Sequence, residues 1–440
     1  MRRALIAASL IFLPAVAAAQ TDLTVQEVLL RGKPAVALVV SEVAAEVTLR
    51  CPSGSVTTTP PPFRETGTGW FISPNGWMMT NAHVVSPAHR PPDWLRAQLA
   101  EKAARPGCRP VSVKLAPSIS VILSNGVRLP ATVAKYSPPV AGEEMSGQDL
   151  ALLRLEAADM PALSLGDSNA AKIGDSLHIV GFPGVVLTHE LLNASTKVEA
   201  SVTNGSIAGF KQDKADQPVI QTDAPAAWGN SGGPAVNHEG RVIGVLTFVT
   251  LSPGEQGTIV QGFNFVIPSQ AVRDFLQGTE VKLDEPSRFN QAWHAGLRQF
   301  FTGDYQRADK SFAEANRLMP ELPDVMRVAA ENRDKIKNPP PRPFPWALVA
   351  GGVTTLSLGA YGTLLGLRWK RNRFRIKPSE VVRLLDTSEP PVLLDVRDTK
   401  TYDKSPVRIP NSMHITPQDL EHGVTAHRIE PNRTVVAYCT

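Results

Sequence analysis

Ser231 lies within Trp228-Gly229-Asn230-Ser231-Gly232-Gly233-Pro234, just after Gln221-Thr222-Asp223. Glycines let a backbone turn sharply and bring its N–H groups close to a bound group. A hydroxyl that attacks a carbonyl needs this setting, because the developing oxyanion must meet N–H donors already in place. Gly229 and Ser231 would supply the two donors of such an oxyanion hole. A serine alone is a weak nucleophile and needs a base nearby in space. His83, in Thr80-Asn81-Ala82-His83-Val84-Val85, is the candidate base, and Asp149, heading Asp149-Leu150-Ala151-Leu152-Leu153, the candidate partner that orients it. Singly, each has an ordinary reading: a loop serine, a strand-end histidine, a surface aspartate. Their joint occurrence carries the catalytic reading.

The elements that must position these residues read as strands. Residues 69–73 and 77–80 flank the turn Pro74-Asn75-Gly76, which predicts a hairpin whose second strand ends at His83. Asp149 opens a buried strand pattern, and Val242-Ile243-Gly244-Val245-Leu246 is an apolar run after the serine loop. Asn125-Gly126 marks another hairpin, and residues 138–148 form a loop that delivers Asp149.

The order His83, Asp149, Ser231 is that of chymotrypsin-type enzymes and differs from the subtilisin and α/β-hydrolase orders. Five blocks in order resemble trypsin-like serine proteases of the bacterial high-temperature-requirement type. They are Gly67-Thr68-Gly69-Trp70-Phe71-Ile72-Ser73, the two segments holding His83 and Asp149, Gly229-Asn230-Ser231-Gly232-Gly233-Pro234, and Phe263-Asn264-Phe265-Val266-Ile267-Pro268. The resemblance implies an all-β double β-barrel (chymotrypsin-like) with its site between the barrels. It implies Ser231 as nucleophile, His83 as general base then acid, and Asp149 as the group that orients His83. No metal or organic cofactor is expected, and protein or peptide substrates are. Family members often carry Ile-Asn-Pro before the Gly-Asn-Ser; here Ala226-Ala227-Trp228 stands there, which leaves a peptide-binding scaffold without catalysis as a rival reading. Pro225, Phe248 and Val249 fall where the family lines its specificity pocket, which suggests a small or medium aliphatic residue before the cleaved bond.

The chain has 440 residues, room for two or three domains, and its net charge of +4 does not argue for nucleic acid. Residues 1–19 read as a secretory signal, with Arg2-Arg3, an apolar run and Ala17-Ala18-Ala19 before the expected cut. Residues 20–278 are then expected in a bacterial periplasm. Of three cysteines, Cys51 and Cys108 fall in the exported part, where an oxidising compartment allows a bridge; two free thiols are the alternative. After His83, an insertion over 86–110 carries Leu95 and Leu99 one helical turn apart, a short amphipathic helix that would serve as a lid or docking element near the cleft, or as plain surface decoration.

Residues 283–337 read as helical. Gly296, Ala308, Phe312, Ala315 and Pro320 fall at tetratricopeptide-repeat spacing, against the plainer reading of an α-helical hairpin connector. A single repeat cannot bury its face alone, so it must pack on the protease or on another chain. The Pro-rich linker 338–345 leads into residues 346–367, an uncharged apolar run expected to be one transmembrane helix in the inner membrane. Arg368, Lys370, Arg371, Arg373, Arg375 and Lys377 follow it, which places the C-terminal side in the cytoplasm. Residues 378–440 resemble the front of an α/β rhodanese-like domain. Cys439 matches that family's nucleophile position, and Thr440 closes the sequence before the anion-cradling loop, so this piece is expected to be incomplete and inactive. Sulfur transfer with a periplasmic sensor is the second rival function. The resemblance to the protease family leaves self-association open, trimers being common there.

Overall fold

The computed structural model describes residues 24–138, 148–251, 259–341, 345–423 and 429–439, without the side chains of 248–251 and 259–261. The expected signal segment, 1–19, lies outside the described residues. The chain divides into two compact units, Met1–Pro340 and Pro341–Thr440.

In the first unit, helix α1 (Val25–Gly32) precedes strands β1 (Val36–Cys51), β2 (Gly54–Thr58), β3 (Phe63–Ser73) and β4 (Trp77–Thr80). Helices α2 (Ala82–His89) and α3 (Asp93–Lys102) come next, then β5 (Arg109–Ile122), β6 (Arg128–Ser137) and β7 (Leu150–Leu155). The sheet order is β2-β1-β3-β4-β7-β6-β5, and pairing of β1 with β5 joins its ends into a barrel. The 16-residue β1 serves three partners: its first half pairs with β3, its last residues with β2, and β5 runs along most of it. Val39, Phe71, Met78 and Leu153 fill the barrel.

Beyond the barrel, the outer ends of β1 and β5 carry α3. Leu95 and Leu99 are fully buried against Val43, Val47 and Leu49, so the insertion builds a small core of its own. Cys51 and Cys108 form a disulfide there.

Six strands close the second barrel in the order β10-β13-β12-β11-β8-β9. In chain order these are β8 (Ser176–Gly181), β9 (Ser201–Gln212), β10 (Pro218–Thr222), β11 (Pro234–Val236), β12 (Val242–Leu251) and β13 (Ile259–Pro268), with short helices α4 (Gly184–Leu187) and α5 (Ala194–Lys197) between β8 and β9 and α6 (Ser269–Leu276) after β13. Leu177, Ile179, Ile220, Ile243 and Val266 fill it. A further apolar layer joins the barrels, with Trp70, Met79 and Leu152 of the first meeting Val180, Phe182 and Val245 of the second.

Helices α7 (Arg288–Phe301), α8 (Tyr305–Leu318) and α9 (Pro323–Lys337) complete the unit. Ser287 caps α7 through its hydroxyl, Asp304 caps α8, and Pro323 sits in the first turn of α9. A Cβ on Gly296 would lie 2.6 Å from the Phe312 ring, so only glycine lets α7 and α8 approach this closely. The helices dock on the first barrel. Phe289, Trp293 and Leu297 share a core with Phe71 and Val39. The Trp293 indole N–H donates to the Leu30 carbonyl at 2.7 Å, and Ser287 Oγ to the Met160 carbonyl at 2.9 Å.

In the second unit, α10 (Trp346–Asn372) is apolar and exposed along its length, with a mean hydropathy of 1.4 in its best window. By length and composition it could cross a membrane. After it come α11 (Pro378–Leu385), β14 (Val392–Asp395), α12 (Thr399–Lys404), β15 (Met413–His414), α13 (Pro417–Glu421) and β16 (Val435–Tyr438). The strands form a parallel sheet, β15-β14-β16.

Candidate active site

Asp149 is the hub. It precedes β7 in a left-handed conformation (φ 51°). Its carbonyl accepts the Asn81 side-chain amide at 2.8 Å and the Ala82 N–H at 3.2 Å. Its Oδ1 accepts the His83 N–H at 2.9 Å, and its Oδ2 lies 2.8 Å from His83 Nδ1. A carboxylate placed on the first free N–H groups of a helix starts that helix and is favoured by its dipole. That corrects the expected position of His83. The strand ends at Thr80, and His83 sits in the first turn of α2 because Asp149 caps it.

Ser231 sits in a turn held by β3. The Thr68 N–H donates to the Ser231 carbonyl at 2.8 Å, and Thr68 Oγ1 donates to the Gly229 carbonyl at 2.7 Å. Gly229 (φ 95°) is irreplaceable on two counts: its backbone is left-handed, and a Cβ there would lie 2.4 Å from the Phe182 carbonyl oxygen. The Trp228 carbonyl is occupied by the Gly184 N–H at 2.6 Å. In a trans peptide the N–H points opposite to the carbonyl, so Gly229 N–H faces away from Gly184. Neither it nor the Ser231 N–H has an acceptor among the described residues.

Thr247, on β12, links the two halves of the site and was not singled out from sequence. Its hydroxyl donates to Asp149 Oδ2 at 2.6 Å, and its carbonyl accepts the Ser231 hydroxyl at 3.3 Å. Its only sequence signal is a hydroxyl ending the apolar run of residues 242–246. Among the described residues, Ser231 Oγ makes no hydrogen bond to His83, whose Nε2 is open to an incoming proton.

Of the His83 side chain, 37 % reaches solvent, against 13 % for Asp149. Partial burial pulls the imidazole pKa down. The hydrogen bond and charge of Asp149, with the charge of Glu65, outweigh it and leave His83 above the ordinary histidine value. Burial pushes the Glu65 carboxyl up, and His83 partly offsets this.

Pro225 is exposed beside the serine turn, its carbonyl accepting the Thr203 hydroxyl at 2.7 Å. The side chains of Phe248 and Val249 lie outside the described residues. Trp228 is exposed. Cys439 is a free, exposed thiol just after β16 in the other unit. Among the described residues no cluster of His, Cys, Asp and Glu could hold a metal.

Residues 67–245 match the trypsin-like peptidase domain. All three residues of the cluster fall within that match. The curated relatives include serine protease HTR4 of Bos taurus, 30 % identical over 260 residues (58 % of this chain, 42 % of that one). A probable periplasmic serine endoprotease, DegP-like, of Chlamydia pneumoniae is 32 % identical over 207 residues (46 % of this chain, 32 % of that one). The chain thus spans less than half the length of these relatives. Among solved structures, an HtrA-type protease AlgW with a decapeptide is 23 % identical, covering 58 % of this chain and 67 % of that one, with a TM-score of 0.39.

Proposed function

We propose that this protein is a serine endopeptidase acting on protein or peptide substrates through His83, Asp149 and Ser231. One observation carries the reading: His83 Nδ1 lies 2.8 Å from Asp149 Oδ2 beside a serine turn with two uncommitted N–H groups. Ser231 Oγ turns from the Thr247 carbonyl toward His83 Nε2, gives up its proton there and attacks the scissile carbonyl. The oxyanion meets the N–H groups of Gly229 and Ser231. Collapse expels the amine, which leaves with the proton held on His83, and an acyl-enzyme remains on Ser231. Water attacks the ester by the same route, its proton passing to His83 and back to Ser231 Oγ. Asp149 holds the imidazole's orientation and its positive charge throughout.

The test is labelling with a fluorophosphonate probe. Wild-type protein is expected to label, and Ser231→Ala and His83→Ala are not. Labelling that survives Ser231→Ala rejects this serine. Folded wild-type protein that does not label moves the reading to a peptide-binding scaffold.

The rest of the chain fits an anchored enzyme. Helix α10 is read as a single span of the inner membrane, its basic flank cytoplasmic and the peptidase periplasmic. Helices α7 and α8 are read as a tetratricopeptide-like pair, and residues 378–440 as rhodanese-like, with Cys439 at the nucleophile position. Quality control or regulated proteolysis, by a protein free to self-associate, is the role this layout suits.

A further inference from the structure

Glu65 is a half-buried carboxylate with no hydrogen bond or ion pair among the described residues. It lies on β3 opposite Ser41 of β1. Alternate residues of a strand share a face, so Glu65, Gly67 and Gly69 look the same way. At Gly69 that face points into the first barrel, where a Cβ would meet Met78 and Val39. At Gly67 it points onto Val84 of α2 and the Ser231 carbonyl oxygen. Glu65 is the next position out, at the barrel rim. There it and His83 feel each other's charge. The cation next to it in the chain is engaged elsewhere: Arg64 pairs with Glu42.

We propose that Glu65 selects a cationic side chain, lysine or arginine, at the first or second substrate position after the scissile bond. The inference rests on the peptidase reading above. In that reaction His83 hands its proton to the departing amine, so the chain beyond the bond must run past the imidazole. A carboxylate at the rim beside that imidazole is met by the side chains of this leaving segment. A partly desolvated carboxylate without a partner is costly, and an incoming ammonium or guanidinium offsets the cost. The preference should weaken as salt rises, since the rim is open to solvent.

The test uses the full chain and internally quenched peptides with alanine or valine before the bond, identical except for Lys, Gln or Glu at the two positions after it. Wild-type kcat/KM is expected to favour Lys over Gln by about fivefold, the scale of a solvent-screened ion pair. In Glu65→Gln that ratio should fall to about one, and Glu65→Lys should favour Glu; Glu65→Asp should keep part of the lysine preference. A wild-type ratio near one, or a ratio unchanged in Glu65→Gln, overturns the proposal. Fluorophosphonate labelling of the same samples separates the two readings. If Ser231-dependent labelling is absent, the peptidase reading fails, and affinities of the same peptides for Ser231→Ala protein decide Glu65. A lysine preference removed by adding Glu65→Gln supports it, and equal affinities overturn it.

Discussion

Both oxygens of Asp149 are committed: Oδ1 caps α2, and Oδ2 is shared by the His83 ring and the Thr247 hydroxyl. Asp149→Asn would keep the shape but present an amide N–H or the wrong acceptor to Nδ1. Its kcat on a peptide substrate is expected to fall by about 10³- to 10⁴-fold, with KM changing far less. The imidazole must be neutral to accept the serine proton, and its pKa is raised in the folded protein. Activity should therefore be lost as pH falls through a value above the ordinary histidine range, read as the acid limb of a kcat/KM–pH profile. A limb at or below that range would contradict the site's electrostatics. His83, Asp149 and Ser231 could be singled out from sequence because each sits in a recognisable block, and the structure brings His83 and Asp149 into contact. Thr247 was not, because half its role belongs to a backbone carbonyl, which any residue type would supply.

The strands were largely legible from alternation and turn residues, as in the Asn125-Gly126 hairpin between β5 and β6. Helix α2 was not. Val84 and Val85 extend the apolar pattern of β4, and a helix there depends on a carboxylate 66 residues away. Tertiary capping overrides local period in such a case. The α3 excursion shows the opposite: Leu95 and Leu99 announced a helix, but what they pack against could not be read from local spacing. The Cys51–Cys108 bridge closes a loop with a sequence separation of 57 around it. Replacing both cysteines by serine should cost about 2–4 kcal/mol of stability. Urea unfolding of oxidised wild type against the double variant measures it, and a difference under 1 kcal/mol on the same scale would show that the α3 core holds without the bridge.

At the scale of the molecule, the first barrel and the helices α7 to α9 share one apolar core. His294, on α7, is pulled down to about 4 by burial, then by the charges of Arg31 and Arg298. A histidine near its ordinary value in the unfolded chain takes up a proton before the folded one does. Its contribution is therefore present above about pH 6.5 and lost as pH falls toward 4, at most about 3 kcal/mol. His294→Asn should flatten the stability–pH curve in that window relative to wild type. An unchanged curve, followed by thermal unfolding, would remove His294 as the cause.

The match to the peptidase domain stops at residue 245, yet the indole of Trp293 holds the carbonyl of Leu30 from the far side of that boundary. The smallest piece able to fold alone is therefore not the piece that homology outlines. A fragment trimmed at residue 278 would bare the apolar surface that Phe289, Trp293 and Leu297 cover, and should precipitate although it keeps His83, Asp149 and Ser231. Limited digestion of the whole chain by an added protease should instead leave a soluble product ending after α9. Anyone dissecting this protein would do well to cut where that digestion cuts.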